Sequence, residues 1–200
     1  MKNLSLKVLT VLIFTVLAIG VNALDVHPFS VSITKGEAKK LVIDLTNMQA
    51  SMVKCSISDD KGRLVYSGKI DVYNEGSNQK YDLSNLGEGI YTITIDDLMK
   101  VEKLTFKINR DNISFENAKS EIIYKPTVWV NNDKTVDFSL LSLGEKVKIE
   151  LRYESDVIYS ATFKDQSTIN TVFNLNKLKS GEYTMAITYK GYTFLRYLSI

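Results

Sequence analysis

An internal repeat limits what this 200-residue chain can fold into more than any other feature of it. The segment Tyr81-Asp82-Leu83-Ser84-Asn85-Leu86-Gly87-Glu88-Gly89-Ile90-Tyr91-Thr92-Ile93-Thr94-Ile95 returns 92 positions later as Phe173-Asn174-Leu175-Asn176-Lys177-Leu178-Lys179-Ser180-Gly181-Glu182-Tyr183-Thr184-Met185-Ala186-Ile187. The leading aromatic, both leucines, the glycine, the Tyr-Thr pair and the last isoleucine coincide, and the same offset carries Ile108 onto Ile200. Upstream, with small gaps, Val65-Tyr66-Ser67 corresponds to Ile158-Tyr159-Ser160, and the two prolines, Pro28 and Pro126, take equivalent places. A chain of this kind is expected to build one unit twice.

Each copy reads as β-structure. In the first, runs at 29–33, 41–46, 52–58, 63–70, 79–83, 90–95 and 99–108 are rich in β-branched and aromatic residues and alternate in polarity. The second gives 127–130, 135–140, 146–153, 157–164, 169–175, 183–189 and 192–200. Turn-forming residues separate them, at Asp59-Asp60-Lys61-Gly62, Asn131-Asn132-Asp133 and Lys190-Gly191. Seven short strands per copy, at spacings of roughly 8 to 12 residues, predict two tandem immunoglobulin-like antiparallel β-sandwiches, an all-β protein. The Leu-x-x-Leu-x-x-Gly-x-Tyr element marks a corner where the chain re-enters a sheet. Gly89 with Tyr91, and Gly181 with Tyr183, are therefore structural-corner residues, each tyrosine hydroxyl expected to bond upstream backbone. The polar stretch 109–121 is the natural linker between a sandwich at 24–108 and another at 122–200.

The start of the chain has the pattern of an export signal over residues 1–23. Lys2 and Lys7 precede an apolar run from Val8 to Ile19, and Val21-Asn22-Ala23 supplies small residues for cleavage. About a dozen apolar residues do not span roughly 30 Å of hydrocarbon, so no transmembrane anchor is expected after signal cleavage. The signal holds 2 of the 25 basic residues and none of the 23 acidic ones, which leaves 23 of each. With no basic excess there is no electrostatic case for nucleic acid as a partner.

Residues suited to catalysis are scarce. His27 is the lone histidine, and neither a nucleophile motif, a zinc-protease helix, a phosphate loop nor a calcium loop is present. No catalytic, cofactor-binding or metal residues are assigned, and the chain is not expected to be an enzyme. Asp59-Asp60 and Asp96-Asp97 fall at hairpin tips, where aspartate is favoured for turn formation. Cys55 lies on the face of Val53 and Ile57 and is expected to be a buried, inert thiol. Trp129 and the tyrosines are expected in cores or interfaces first, and as carbohydrate-stacking platforms second.

The closing strands of the copies differ. Where the first has Glu102, Lys103 and Thr105, the second has Phe194, Leu195 and Tyr197. A strand apolar on both sides is expected to be covered on both sides, which makes Phe194, Leu195 and Tyr197 a candidate contact strand.

Residues 57–67, 81–95 and Lys103-Leu104 together resemble the C-terminal sorting domain of the Bacteroidota type IX secretion pathway. The likeness lies in an Asp-x-x-Gly-Arg turn, an Asp-Leu-Ser-x-Leu-x-x-Gly-Ile-Tyr corner with alternating isoleucines, and a closing Lys-Leu. It is carried by residues 57–108 and less fully by the second copy. The resemblance implies a small immunoglobulin-like sandwich read by outer-membrane secretion machinery, and hence a secreted or cell-surface protein acting in sorting or in contact with another surface protein. A periplasmic or extracellular module binding a glycan or a peptide is the alternative.

Overall fold

The computed structural model describes residues 29–33, 39–48, 50–115 and 119–200. The export signal at 1–23, His27 and Pro28 lie outside the described residues. What is described is all β: strands joined by turns, with no helix among the described residues. The chain divides into two compact units, the first reaching Ile123 and the second running from Tyr124 to Ile200.

The first unit contains β1 (Ser30–Ile33), β2 (Lys40–Asp44), β3 (Met52–Asp59), β4 (Leu64–Asp71), β5 (Asn78–Asp82), β6 (Gly89–Asp96), β7 (Lys100–Ile108), β8 (Ile113–Ser114) and β9 (Ser120–Tyr124). One sheet has the order β1-β2-β5, and the other runs β4-β3-β6-β7-β8 with β9 also pairing β7. Period-2 alternation explains how they close, because successive side chains of a strand point to opposite faces. Leu41 and Ile43 of the first sheet join Val53, Cys55, Ile57, Ile93, Ile95, Phe106 and Ile108 of the second in one buried cluster.

The second unit contains β10 (Thr127–Val130), β11 (Thr135–Leu141), β12 (Val147–Tyr153), β13 (Asp156–Phe163), β14 (Thr168–Asn174), β15 (Glu182–Tyr189) and β16 (Tyr192–Ser199). Its sheets are β10-β11-β14 and β13-β12-β15-β16. Val136, Phe138, Leu140, Ile169 and Phe173 are buried from one sheet, and Val147, Ile149, Leu151, Met185 and Ile187 from the other. In each unit the fourth strand pairs with the third rather than the fifth, so the division is three strands against a sheet built on four. The constant-type immunoglobulin arrangement, by contrast, groups its first, second, fourth and fifth strands.

Detail recurs between the units. Each has a register shift in the pairing of its third and fourth strands, after Ile57 in one and after Leu151 in the other. Such a bulge sets two residues against one and turns the strand locally. Just past it, Tyr66 meets Tyr81 edge-on at 5.0 Å in the first unit, and Tyr159 meets Phe173 edge-on at 5.9 Å in the second. In both cases the rings come from different sheets, so an aromatic pair in the favoured tilted geometry bridges the sandwich.

Three features of the strands go beyond what composition shows. The stretch 109–121 is not all loop: it contains β8 and the start of β9, both antiparallel neighbours of β7 or its edge, with Thr105 N donating to Lys119 O at 2.9 Å. A polar composition hid this, because edge pairing is made by backbone groups. Glu102, though charged, faces inward. It is 3% exposed, opposite Ile95, and ion-paired to Lys100 at 2.5 Å. Strand parity carries it to the same face as Phe106 despite its charge, and the lysine compensates its burial. On the closing strand β16, Leu195 is 44% and Tyr197 77% exposed within this chain.

Candidate functional site

The turn after β3 is organised by one carboxylate. Asp59 Oδ1 accepts from Lys61 N at 3.0 Å and Arg63 N at 2.8 Å, while Oδ2 pairs with Arg63 Nε at 2.7 Å. Gly62 has φ +76°, a left-handed conformation that L side chains rarely adopt, and it closes the turn through Gly62 N to Asp59 O at 3.0 Å. The spacing Asp-x-x-Gly-Arg therefore has a mechanical meaning. Asp97 performs the same task at the next hairpin, accepting from Met99 N and Lys100 N at 2.7 Å each. Both aspartates are occupied with backbone N–H groups. Among the described residues no group of three or more His, Cys, Asp or Glu side chains could hold a metal ion.

The corner follows in each unit. Tyr91 Oη donates to Gly87 O at 3.0 Å, and Tyr183 Oη to Lys179 O at 2.9 Å, four residues upstream in both. The preceding turns also match. Leu83 N donates to Lys39 O and Leu175 N to Lys134 O, each at 2.9 Å, and both lysines have positive φ, 55° and 58°. The glycines differ in what they permit. A Cβ on Gly89 would meet the Tyr91 ring at an ordinary 3.6 Å, whereas one on Gly181 would press on Tyr153 at 3.3 Å. Tyr153 and Tyr183 pack with ring centroids 5.0 Å apart, and burial, with Tyr153 beside it, raises the pKa of the Tyr183 hydroxyl. Removing a corner hydroxyl leaves a carbonyl without its donor. Tyr91→Phe and Tyr183→Phe should each cost about 1 kcal/mol, read as a lower urea midpoint at unchanged slope.

Cys55 is fully buried, and burial pushes its thiol pKa up, partly offset by a hydrogen bond with Tyr81. Tyr81 in turn is displaced upward by burial and by its Cys55 and Tyr66 neighbours. This polar thread inside the first sandwich has no counterpart in the second, where Phe173 replaces Tyr81. A protonated, inaccessible thiol is a poor nucleophile.

Several carboxyls are held below their ordinary range: Asp44 by Thr46, Asp71 by Asn74, Asp82 by Ser84, Asp133 by Thr135, and Glu150 by Lys148 and Arg152. At Asp59, partial burial acts upward but is outweighed by the bonds from Arg63 and Lys61. A folded pKa below the unfolded one means stabilisation that is complete above the unfolded value and is lost as pH falls through the folded one. Urea midpoints should therefore hold between neutral pH and about pH 5, then fall progressively below about pH 4.

The candidate contact strand β16 pairs with β15 alone among the described residues. Phe194 is half-buried and stacks on Tyr192 at 6.0 Å, while Leu195 and Tyr197 face outward. The equivalent edge in the first unit, that of β7, is occupied by β8 and β9. Trp129, expected in a core or interface first and as a carbohydrate-stacking platform second, is 68% exposed on β10. The signal was available in the alternation of Val128, Trp129 and Val130, which puts the indole opposite the two half-buried valines.

Comparison with known proteins gives one similar solved structure and one family match, the latter confined to the first unit. Among solved structures, one match is "Biofilm associated protein - BSP domain", 16% identical, with a TM-score of 0.26, covering 86% of this chain and 29% of that chain. The chain thus spans less than a third of that protein's length. No curated protein matches. A family model described as "Secretion system C-terminal sorting domain" matches residues 37–109, a segment that contains β2 to β7, the Asp59 turn and the Tyr91 corner. Residues 37–109, a little over a third of the chain, are thus similar to the secretion system C-terminal sorting family.

Proposed function

We propose that this is an exported, non-enzymatic protein of two tandem immunoglobulin-like sandwiches, whose first unit is a module read by type IX secretion machinery at the outer membrane of a Bacteroidota cell. The carrying observation is the family match, whose span coincides with the strands that close the first sandwich. The Asp59 and Asp97 carboxylates are committed to turns, and the Tyr91 hydroxyl to its corner, so the motif residues hold shape instead of reacting. A surface of fixed shape suits recognition by a receptor. In this reading residues 1–23 direct passage across the inner membrane, and the mature protein ends at the cell surface or outside the cell. The second unit repeats the strand order and corner of the first and presents its own surface.

The test is location. The full chain would be produced in a Bacteroidota host with and without functional type IX machinery, and followed by fractionation and intact mass. Recovery from the outer surface or medium only when the machinery works is the expected outcome. Equal distribution in both hosts, or retention in the periplasm of both, contradicts the reading.

A further inference from the structure

The outer face of the β10-β11-β14 sheet combines an exposed indole with a row of polar groups. Cross-strand register sets Trp129 opposite Asp137 and Asp137 opposite Val172. The adjacent rung is Thr127, Ser139 and Asn170, and Ser139 Oγ donates to Asn170 Oδ1 at 2.7 Å. On the other side, Asn131 Nδ2 donates to Asp137 Oδ2 at 3.0 Å and to Thr135 Oγ1 at 3.0 Å. Rungs on one face lie about 6.6 Å apart, so carboxylate, amide and hydroxyl groups flank the ring within the span of one sugar residue.

From this arrangement we infer that the second unit carries a glycan-binding platform centred on Trp129, with Asp137 and its neighbours as hydrogen-bonding partners. A pyranose has a face of C–H groups and a rim of hydroxyls. The C–H face suits the electron-rich indole, and the rim suits fixed acceptors and donors beside it. Asn131 holds the Asp137 carboxylate in place through Oδ2, so its orientation is set before a ligand arrives. The flat surface favours a run of sugars lying along the sheet over a small molecule enclosed in a pocket.

The first unit serves as an internal control. Tyr81 stands opposite Leu41 and Phe173 opposite Val136, and stepping one position from that match places Ser32, Val42 and Lys80 where the second unit has Trp129, Asp137 and Val172. The same sandwich can therefore be built without an outward aromatic at this position, and nothing in the fold requires one. Tryptophan is enriched among the residues that anchor recognition surfaces.

Because Trp129 is the only tryptophan in the chain, its emission reports on this face alone. The full chain would be titrated with cellohexaose, xylohexaose, mannohexaose and chitohexaose, following emission wavelength and acrylamide quenching. At least one saccharide should shift the emission to the blue and protect the indole, and Asp137→Asn should weaken that ligand by about tenfold while far-UV circular dichroism stays unchanged. Trp129→Ala should abolish retardation in a gel containing the corresponding polysaccharide. No response to any of the four, an equal response in Asp137→Asn, or protection that depends on protein concentration alone would overturn the proposal, the last by pointing to a second copy of the chain. The inference is independent of the sorting role, since cellular location does not enter its readout.

Discussion

Phe106→Ala should lower the stability of the first unit by about 3–5 kcal/mol. The ring is 2% exposed, stacks on Tyr91 at 5.8 Å and meets Phe115 at 6.0 Å, so it joins the corner to the chain segment beyond β8. Truncation opens a cavity among side chains held by two sheets, which have little freedom to collapse into it. Small domains have only about 5–15 kcal/mol in total, so the variant should sit close to its unfolding transition. Cys55 gives the readout: buried and protonated in the native protein, it should react with an alkylating reagent far faster in the variant. An unchanged urea midpoint with a still-protected thiol would show that Phe106 does not hold the core as argued.

Phe173→Ala should do the same to the second unit, again by about 3–5 kcal/mol. Phe173 is 2% exposed and touches Phe138 at 6.3 Å and Tyr159 at 5.9 Å, the latter from the opposing sheet. The loss should appear in circular dichroism and Trp129 emission while the Cys55 thiol stays protected. That separation is expected because the buried cluster around Cys55 is drawn wholly from residues 29–115. Simultaneous exposure of Cys55 would contradict it.

Much of this fold was legible in the sequence, because strands with one buried face announce themselves by alternation and by the turn residues between them. The run 52–58 became Met52–Asp59, and 157–164 became Asp156–Phe163, differences of a residue at the ends. What escaped notice was pairing made by backbone alone. Residues 109–121 offer Ile113 and Phe115 but no period, and their place beside β7 is fixed by bonds such as Thr105 N to Lys119 O. Side chains whose chemistry disagrees with their face are also hard to place from sequence. Glu102 goes inward because Phe106 and Ile108 on its strand go inward, and Leu195, Tyr197 and Trp129 go outward because their neighbours fill the core positions. Alternation tells which residues share a face. It does not say which face is wet when both are apolar or when a charge is ion-paired inside.

The candidate site divides along the same line. The Asp59 turn and the Tyr91 corner were readable because their spacing has a local hydrogen-bond consequence within four residues. The Trp129 platform was not, because it is assembled from β10, β11 and β14 and needs the register of both pairings.

The account stands or falls on each half of the chain closing around its own interior. Residues 124–200 produced alone give the most direct measurement, a ¹H–¹⁵N correlation spectrum with a urea titration. Well-dispersed amide resonances and a single cooperative transition are the predicted result. Collapsed resonances with no transition would mean that the buried residues of this half do not suffice to hold it together.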